Sequence, residues 1–435
     1  MDYQEALRFL YSFVDFERQD PIDREFNLDN YRGFLDKIGN PHTSLVNPVL
    51  IAGTKGKGST ACLLSSALKR CGLRVGTFTS PHLISPTERI AVDLSPIRES
   101  DFARWITYLR PYLEQTTERC YRTVFETMTA IAFLHFIEKQ VDVAVLEVGV
   151  GGNLDATNVV DPIVSVITPV GLDHTGFLGS TLAEITEKKA GIIRRQGKVV
   201  SAPQEPEALA VIERTVALCD AQLITVGRDV PYHVVRTDPD RTTFSVKGNG
   251  GWREYQIQLL GRHQAQNAAT TLATIWQLQE IGLEVSDRTV AEGLLSATLP
   301  GRFQVIETRP EIILDGAHNP TSMHAVRQTI DDLFGGPQLV VVFAMMLKKD
   351  IQSCLRILAP IIRAIVCTRP DFPRACPPEE LAQHSQKLGI ESYVAPNSSS
   401  ALDIARSLCK PIDRILVTGS FYLVGEVLQE LQTKL

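Results

Sequence analysis

The chain has 435 residues, 44% of them hydrophobic and 22% charged, with a formal net charge of −6. That length exceeds one ordinary core and points to two or three domains, while the acidic balance argues against a nucleic-acid surface and still allows a local basic pocket. The opening Met1-Asp2-Tyr3-Gln4-Glu5 carries no basic or apolar leader, and the longest apolar run, Leu339 to Leu347, falls far short of the ~20 residues of a membrane span. A cytoplasmic protein without membrane contact is expected. The 8 cysteines form no C-x-x-C pair and read as reduced core residues.

In chain order, apolar spacing predicts a helix over 2–17 and a second from Leu28 to Ile38, stopped by Gly39-Asn40-Pro41. Pro48-Val49-Leu50-Ile51 reads as a buried strand, and Cys62 to Leu68 as a helix ending at the C′ glycine Gly72. Between them lies Gly53-Thr54-Lys55-Gly56-Lys57-Gly58-Ser59-Thr60, a glycine-rich turn from strand to helix. Such a loop turns backbone N–H groups around a phosphate, the helix N-terminus adds positive charge, a lysine supplies a full one, and Ser59 offers a hydroxyl to Mg²⁺. The match to G-x-x-x-x-G-K-[ST] is imperfect, since Gly58 separates Lys57 from Ser59, and a tight ligand-free turn is the alternative. Of Lys55 and Lys57, Lys57 lies nearer the helix and is taken as the phosphate contact.

Arg74 to Thr79 reads as a strand running into Ser80-Pro81-His82-Leu83, at the strand end where open α/β sheets bind ligands. His82 there is either a substrate contact or a loop-packing residue. After helices over Ser100–Tyr112 and Thr123–Gln140, the buried strand Val141 to Leu146 delivers Glu147, a carboxylate placed as Mg²⁺ coordination needs, with a cap or ion pair as the alternative. Gly149-Val150-Gly151-Gly152 lacks the third spaced glycine of a dinucleotide fingerprint, so NAD binding is rejected. Ile163 to Thr168 is a strand ending in Gly171-Leu172-Asp173-His174-Thr175-Gly176; Thr181 opens a helix holding Lys188-Lys189-Ala190-Gly191, and Lys198 to Ser201 is the next strand. Residues 230–260 turn β-rich, with Asn249-Gly250-Gly251 as a turn, and an Ala-rich helix runs from His263 to Ile281. A Pro-Gly turn places the domain boundary at 297–301, between domains 1–296 and 302–435. Beyond it, strands at Ile312–Leu314, Leu339–Phe343, Ala364–Cys367 and Arg414–Val417 alternate with helices at Asp350–Ile362, Pro378–Leu388 and Ser399–Leu408, a second open α/β domain.

Taken together, eight motifs resemble the folylpolyglutamate synthase and dihydrofolate synthase family of the Mur ligase superfamily. They are Gly53 to Ser59, Thr79 to Leu83, Leu146 to Gly152, Asp155-Ala156-Thr157-Asn158, Leu172 to Thr175, Lys189-Ala190-Gly191-Ile192, Asp315-Gly316-Ala317-His318-Asn319-Pro320 and Val417-Thr418-Gly419-Ser420. The resemblance implies a P-loop ATPase-like open sheet domain followed by a Rossmann-like α/β domain, with the active site in the cleft between them. It implies an ATP-dependent ligase, acting as a monomer, that activates a pterin or folate carboxylate as an acyl phosphate and joins it to L-glutamate. By similarity, Ser59 and Glu147 are ligands of one Mg²⁺ and Glu147, His174 and Lys189 serve a second, with Lys189 carbamylated so that it offers oxygen. Asn267 and Arg302 resemble adenine and phosphate contacts, and Asp315 with His318 the second domain's share of the ATP site; a capped turn is the alternative for that pair. Ser80, Pro81 and His82 belong to the substrate loop, and Thr123, Phe125, Asp155 and Ala156 match a pterin pocket, although a Phe on an apolar helix is commonly core. Lys55 stands where many bacterial members carry Asn, and Asn153 where many carry Arg, which bears on substrate preference. The rival readings are another Mur-type ligase with a muropeptide-like acceptor, against which the Gly58 insertion and the Ser80-Pro81-His82 loop argue, and a nucleotide-binding regulatory module, for which a second α/β domain is superfluous.

Overall fold

A computed structural model of the chain describes residues 1–18, 27–115, 122–306, 309–336, 338–410 and 413–434. The chain folds into two compact units, one comprising Met1–His233, Phe244–Ile257 and Ala265–Ala297, the other Val234–Thr243, Gln258–Gln264 and Thr298–Leu435.

The first unit is built on an eight-stranded sheet. Its strand order is Ser95–Pro96, Ile90–Val92, Val75–Phe78, Val143–Glu147, Pro48–Ala52, Val164–Ile167, Lys198–Ser201 and Gln222–Thr225. All neighbours from Val75–Phe78 onward are parallel, and the two edge strands pair antiparallel. The central strands are buried throughout, as expected where helices cover both faces of a parallel sheet. Two register pairs fix the site: Ile51 lies opposite Glu147, and Ala52 opposite Ile167. The carboxyl ends of three neighbouring strands therefore meet around the loop that begins at Gly53.

The loop helix, Lys57–Arg70, is held from behind by the helix Asp287–Ser296, at a crossing so close that a Cβ on Gly293 would lie 2.5 Å from the Cα of Ala67. Ser66 donates its hydroxyl to the Gly293 carbonyl at 2.7 Å. A three-stranded sheet, Gly251–Ile257, Arg241–Gly248 and Tyr232–Asp238, follows the eight-stranded one in sequence.

The second unit carries a six-stranded sheet ordered Gln304–Ile306, Ile312–Leu314, Arg414–Thr418, Leu339–Phe343, Ile362–Cys367 and Glu391–Val394, parallel except for the first pair. Ile313, Val341, Phe343, Ile365 and Leu416 centre its core. The two sheets give the chain the α/β class that the alternating motifs predict.

Two predicted helices are shorter in the structure. The first spans only Tyr3–Leu10, because Val14 leaves the helical path to bridge Thr123, its carbonyl accepting the Val124 N–H. The helix expected over Asp350–Ile362 ends at Leu358: Pro360 sits in a 3₁₀ turn, Ala359–Ile361, and Ile362 already belongs to the next strand. Among the described residues the cysteines are free, and Cys62, Cys354, Cys367 and Cys376 are buried. No helix of the described residues is long and apolar enough to cross a membrane.

The crossing behind the loop helix is testable. Gly293→Ala should cost about 1–3 kcal/mol, since a backbone neighbour cannot step aside as a side chain would. A melting temperature equal to that of the unsubstituted protein would contradict so close a contact.

Candidate active site

Gly53 to Thr60 form the loop and the first turn of the loop helix. Gly53 has φ +147 and faces Thr168 so closely that a Cβ would lie 1.9 Å from its Oγ1, and Gly56, with φ +83, leaves 2.3 Å for a Cβ against Asn267 Oδ1. Neither position admits a side chain. Asn267 is thus packed directly on the loop.

The Thr54 and Lys55 N–H groups both donate to the Pro169 carbonyl, and the Thr54 hydroxyl exchanges hydrogen bonds with Gly171, so the front of the loop is tied to the next strand end. The helix start is different. Where Asp2, Thr123, Thr181 and Asn319 cap their helices with capping boxes, the loop helix begins at Gly56 without a side-chain cap. Its first-turn N–H groups are orphans by helix geometry, and an anion satisfies them best.

The Glu147 carboxylate, 3% exposed, projects from its strand end toward this turn. Its Oε1 lies 3.8 Å from Lys57 Nζ, and its Oε2 accepts the Ser80 N–H at 3.1 Å. Lys55 pairs with Asp173 at 3.2 Å, a residue inside the Leu172 to Thr175 motif whose role the motif alone does not disclose. Lys189 is 4% exposed and donates to the Gly53 carbonyl at 2.9 Å. Burial first, and then the Lys57 charge, bring its pKa down to about 7 against the opposing pull of Asp173 and Asp155. A helix lysine that reads as a surface residue is therefore a buried amine touching the loop.

Lys57, Lys189, His174, Asp173 and the turn Gly149–Gly151 line one cavity of about 30 Å³ beside Gly53 and Thr54. His174 is an exposed residue in left-handed conformation, φ 51, ahead of the short helix Thr175–Leu178. Ser59 and Thr60 are buried in the first helical turn. Among the described residues no cluster of three His, Cys, Asp or Glu gathers for a metal. The donors present still fit Mg²⁺, which takes hard oxygens from one or two carboxylates and completes its shell with phosphate and water; Glu147 and Ser59 supply such oxygens.

The Ser80-Pro81-His82 loop is braced by groups that sequence inspection misses. Arg89, 4% exposed, donates Nε–H to His82 Nδ1 at 2.8 Å, and its other nitrogens reach both Glu17 oxygens at 2.9 and 2.6 Å. Since Arg89 only donates, neutral His82 carries its proton on Nε2. Burial first, then Arg89, push the His82 pKa down to about 3.

The residues that the resemblance assigns to a pterin pocket fall into two groups. Phe125, Asp155 and Gly149 come together, a Cβ on Gly149 meeting Phe125 Cζ at 2.7 Å and Asp155 Oδ2 at 3.2 Å; Phe125 also packs 5.5 Å from Phe78. Asp155 spends Oδ2 on the Gly149 and Val150 N–H groups and Oδ1 on Thr157, holding the turn that lines the cavity, with Ala156 buried beside it. Thr123, by contrast, is the N-cap of the helix Val124–Glu138, its hydroxyl accepting the Glu126 N–H.

In the second unit, Asp315 follows its strand directly. Its oxygens accept the Phe303 and Ala317 N–H groups, each at 2.8 Å, and burial raises its pKa despite the nearby Arg302. His318 donates its Nδ1–H to the Gly316 carbonyl at 2.9 Å. Arg302 stacks over Phe421 with Cζ 4.2 Å from the ring centre.

A phosphate loop beside a strand-end carboxylate, followed by a second α/β unit, is the plan of a Mur-type ligase. Residues 51–275 match the Mur ligase middle domain and residues 301–421 the Mur ligase glutamate ligase domain. The chain is 33% identical over 435 residues to the dihydrofolate synthase/folylpolyglutamate synthase of Bacillus subtilis (strain 168), covering 99% of each chain. It is 34% identical over 385 residues to that of Escherichia coli (strain K12), covering 88% of this chain and 86% of the other. Its fold superposes on Mycobacterium tuberculosis folylpolyglutamate synthase complexed with ADP with a TM-score of 0.90 and 30% identity, covering 98% of each chain. For E. coli FolC in complex with DHPP and ADP the TM-score is 0.87 at 30% identity, covering 100% of this chain and 98% of that one. The chain belongs to the dihydrofolate synthase/folylpolyglutamate synthase family, and it is an ATP-dependent ligase.

The His82 network carries a pH signature. A histidine at about 3 when folded and 6.5 when unfolded binds more protons in the unfolded chain, so its contribution to stability is lost as pH falls from 6.5 toward 3. His82→Asn should show a shallower fall in melting temperature between pH 6.5 and about 4 than the unsubstituted protein; equal slopes would contradict the buried neutral imidazole.

Proposed function

We propose that the enzyme joins L-glutamate to the carboxylate of a pterin-based acceptor, dihydropteroate or a folate, through an acyl phosphate. The observation that carries this reading is the register of Ile51 against Glu147, which sets a buried carboxylate and the Lys57 ammonium at the mouth of an uncapped helix N-terminus. The acceptor carboxylate oxygen bonds to the γ-phosphorus of ATP and ADP leaves; the glutamate amine then bonds to the acyl carbon, and phosphate leaves as the amine loses its proton.

Both reactants of the first step are anions, so the protein must mainly position them and neutralise charge. The first-turn N–H groups and Lys57 hold the phosphates, with Lys55 alongside. Asn267, packed on Gly56, is assigned to the adenine; Arg302, Asp315 and His318 are the nucleotide residues of the second unit. Ser59 and Glu147 would hold one Mg²⁺, and Glu147, His174 and Lys189 a second ion; bound there, the metal would supply Lewis-acid charge on the transferring phosphoryl group. An ammonium cannot ligate a cation. Lys189, whose lowered pKa leaves much of it as free amine, adds to CO₂, loses a proton and becomes a carbamate that offers oxygen.

The acceptor lies along Ser80-Pro81-His82 and beside Thr123, Phe125, Asp155 and Ala156, Thr123 also capping the helix that carries Phe125. We assign phosphate and acceptor binding to domain 1–296 and the remaining nucleotide contacts to 302–435, joined by 297–301. We also take the enzyme to act as a monomer in the cytoplasm, a compartment that the free cysteines among the described residues suit.

The reading is tested by ADP release with each component omitted in turn. Release should require both L-glutamate and a pteridine acid, and release that continues undiminished without the acid would refute it. Offering dihydropteroate and tetrahydrofolate separately, with the products analysed, then shows whether the enzyme takes one acceptor or both. Ser59→Ala and Glu147→Gln should each lower turnover about 100-fold or more while melting normally, because metal stabilisation of the transferring group is worth several kcal/mol. Near-normal turnover at saturating Mg²⁺ would remove the metal assignment. For Lys189→Ala, acetate or formate should restore part of the lost activity by filling the vacated oxygen position; an active Lys189→Arg with no rescue of the Ala variant would rule out the carbamate.

A further inference from the structure

Three backbone segments of the second unit converge on one aromatic ring. The strand Ile312–Leu314 delivers Asp315 to His318, and the adjacent parallel strand Arg414–Thr418 delivers Gly419, Ser420 and Phe421. The third segment, Gly301 to Phe303, precedes the antiparallel strand Gln304–Ile306. Main-chain bonds lace them: Asp315 N–H to the Val417 carbonyl at 3.0 Å, Gly419 N–H to the Ala317 carbonyl at 2.9 Å, and Gly316 N–H to the Gly301 carbonyl at 3.0 Å.

Phe421, the first residue of the helix Phe421–Lys434, stands at the centre of this weave. The Arg302 guanidinium lies over its face at 4.2 Å, and the His318 ring sits 5.7 Å from its centre at an angle of 58°. Gly316 lets the ring in: a Cβ there would come within 2.6 Å of one ring carbon and 2.7 Å of another. Asp315, whose charge Arg302 also answers, accepts the Phe303 and Ala317 N–H groups with its two oxygens. The ring is therefore the common surface on which the arginine and the histidine rest.

We propose that Phe421 is the positioning residue of the nucleotide set in the second unit, holding the Arg302 guanidinium at a fixed height and limiting the swing of His318. The inference rests on the assignment of Arg302 to the nucleotide. A guanidinium stacked on an aromatic face is held by the ring quadrupole and by the planar fit that lysine lacks. Without the ring, Arg302 keeps its charge but loses the planar stack that helps to order it, and that ordering cost falls on ATP binding.

The test is a double-substitution cycle read as the KM for ATP and as the directly measured Kd of ADP. Phe421→Leu should raise both roughly five- to thirtyfold, leaving the KM values of glutamate and acceptor unchanged, while Phe421→Tyr, which keeps the face, stays near the starting protein. In an Arg302→Ala background, Phe421→Leu should add little further loss, because the ring acts through the arginine. Independent, multiplying effects would overturn the inference and leave the nucleotide assignment standing. Unchanged nucleotide affinity in Arg302→Ala would overturn the assignment and the inference with it. Should Phe421→Leu fail to fold, Arg302→Lys carries the test: it retains the charge without the planar stack, and it should lose nucleotide affinity to a similar degree, whereas full affinity would refute the role of the ring.

Discussion

The site depends on keeping one carboxylate, Glu147, buried at the end of a central strand. A carboxylate at 3% exposure is costly unless its charge is answered nearby. The answers come from the loop it faces: the Ser80 N–H on one oxygen, the Lys57 ammonium 3.8 Å from the other, and the positive start of the loop helix. The parallel register makes this arrangement unavoidable, because a strand that pairs Ile51 with Glu147 must end where the glycine loop begins. Rigid backbone thus holds opposite charges in place beside the uncapped helix start.

The lysines around the loop are differentiated by burial rather than by type. Lys55 is half-exposed and paired with Asp173, Lys57 faces Glu147, and Lys189 is enclosed and driven toward its neutral form. Three identical side chains thus differ in setting: one paired at the partly buried rim, one beside a carboxylate, and one enclosed with a lowered pKa. That difference is produced by depth below the surface and by the charges each one faces.

Much of this is legible in the sequence because strand-end loops are local. Asp155-Ala156-Thr157 folds on its own few residues, so its motif predicts its geometry, whereas Gly53 to Ser59 is tied to Pro169 and Gly171, and Asp315 to Phe303 and Val417, by contacts that their motifs do not report. Helix length is less legible: apolar spacing over 2–17 continues past Leu10, but Val14 is captured by Thr123, a partner far along the chain. The same holds for Glu17 bracing Arg89 behind His82, and for Phe421 beneath Arg302. No spacing rule reports such pairs, since sheet order brings them together. Lys189 shows both sides: periodicity alone makes it a surface residue, and only the family resemblance marks it before its burial is seen.

The central claim is that the acceptor carboxylate itself attacks phosphorus beside Lys57 and Glu147. It is tested most directly with acceptor carrying ¹⁸O in that carboxylate, by mass analysis of the phosphate released on ligation. Attack through the carboxylate predicts one ¹⁸O delivered to phosphate for each fully labelled molecule joined to glutamate. Phosphate free of ¹⁸O, with amide product formed, would contradict the account.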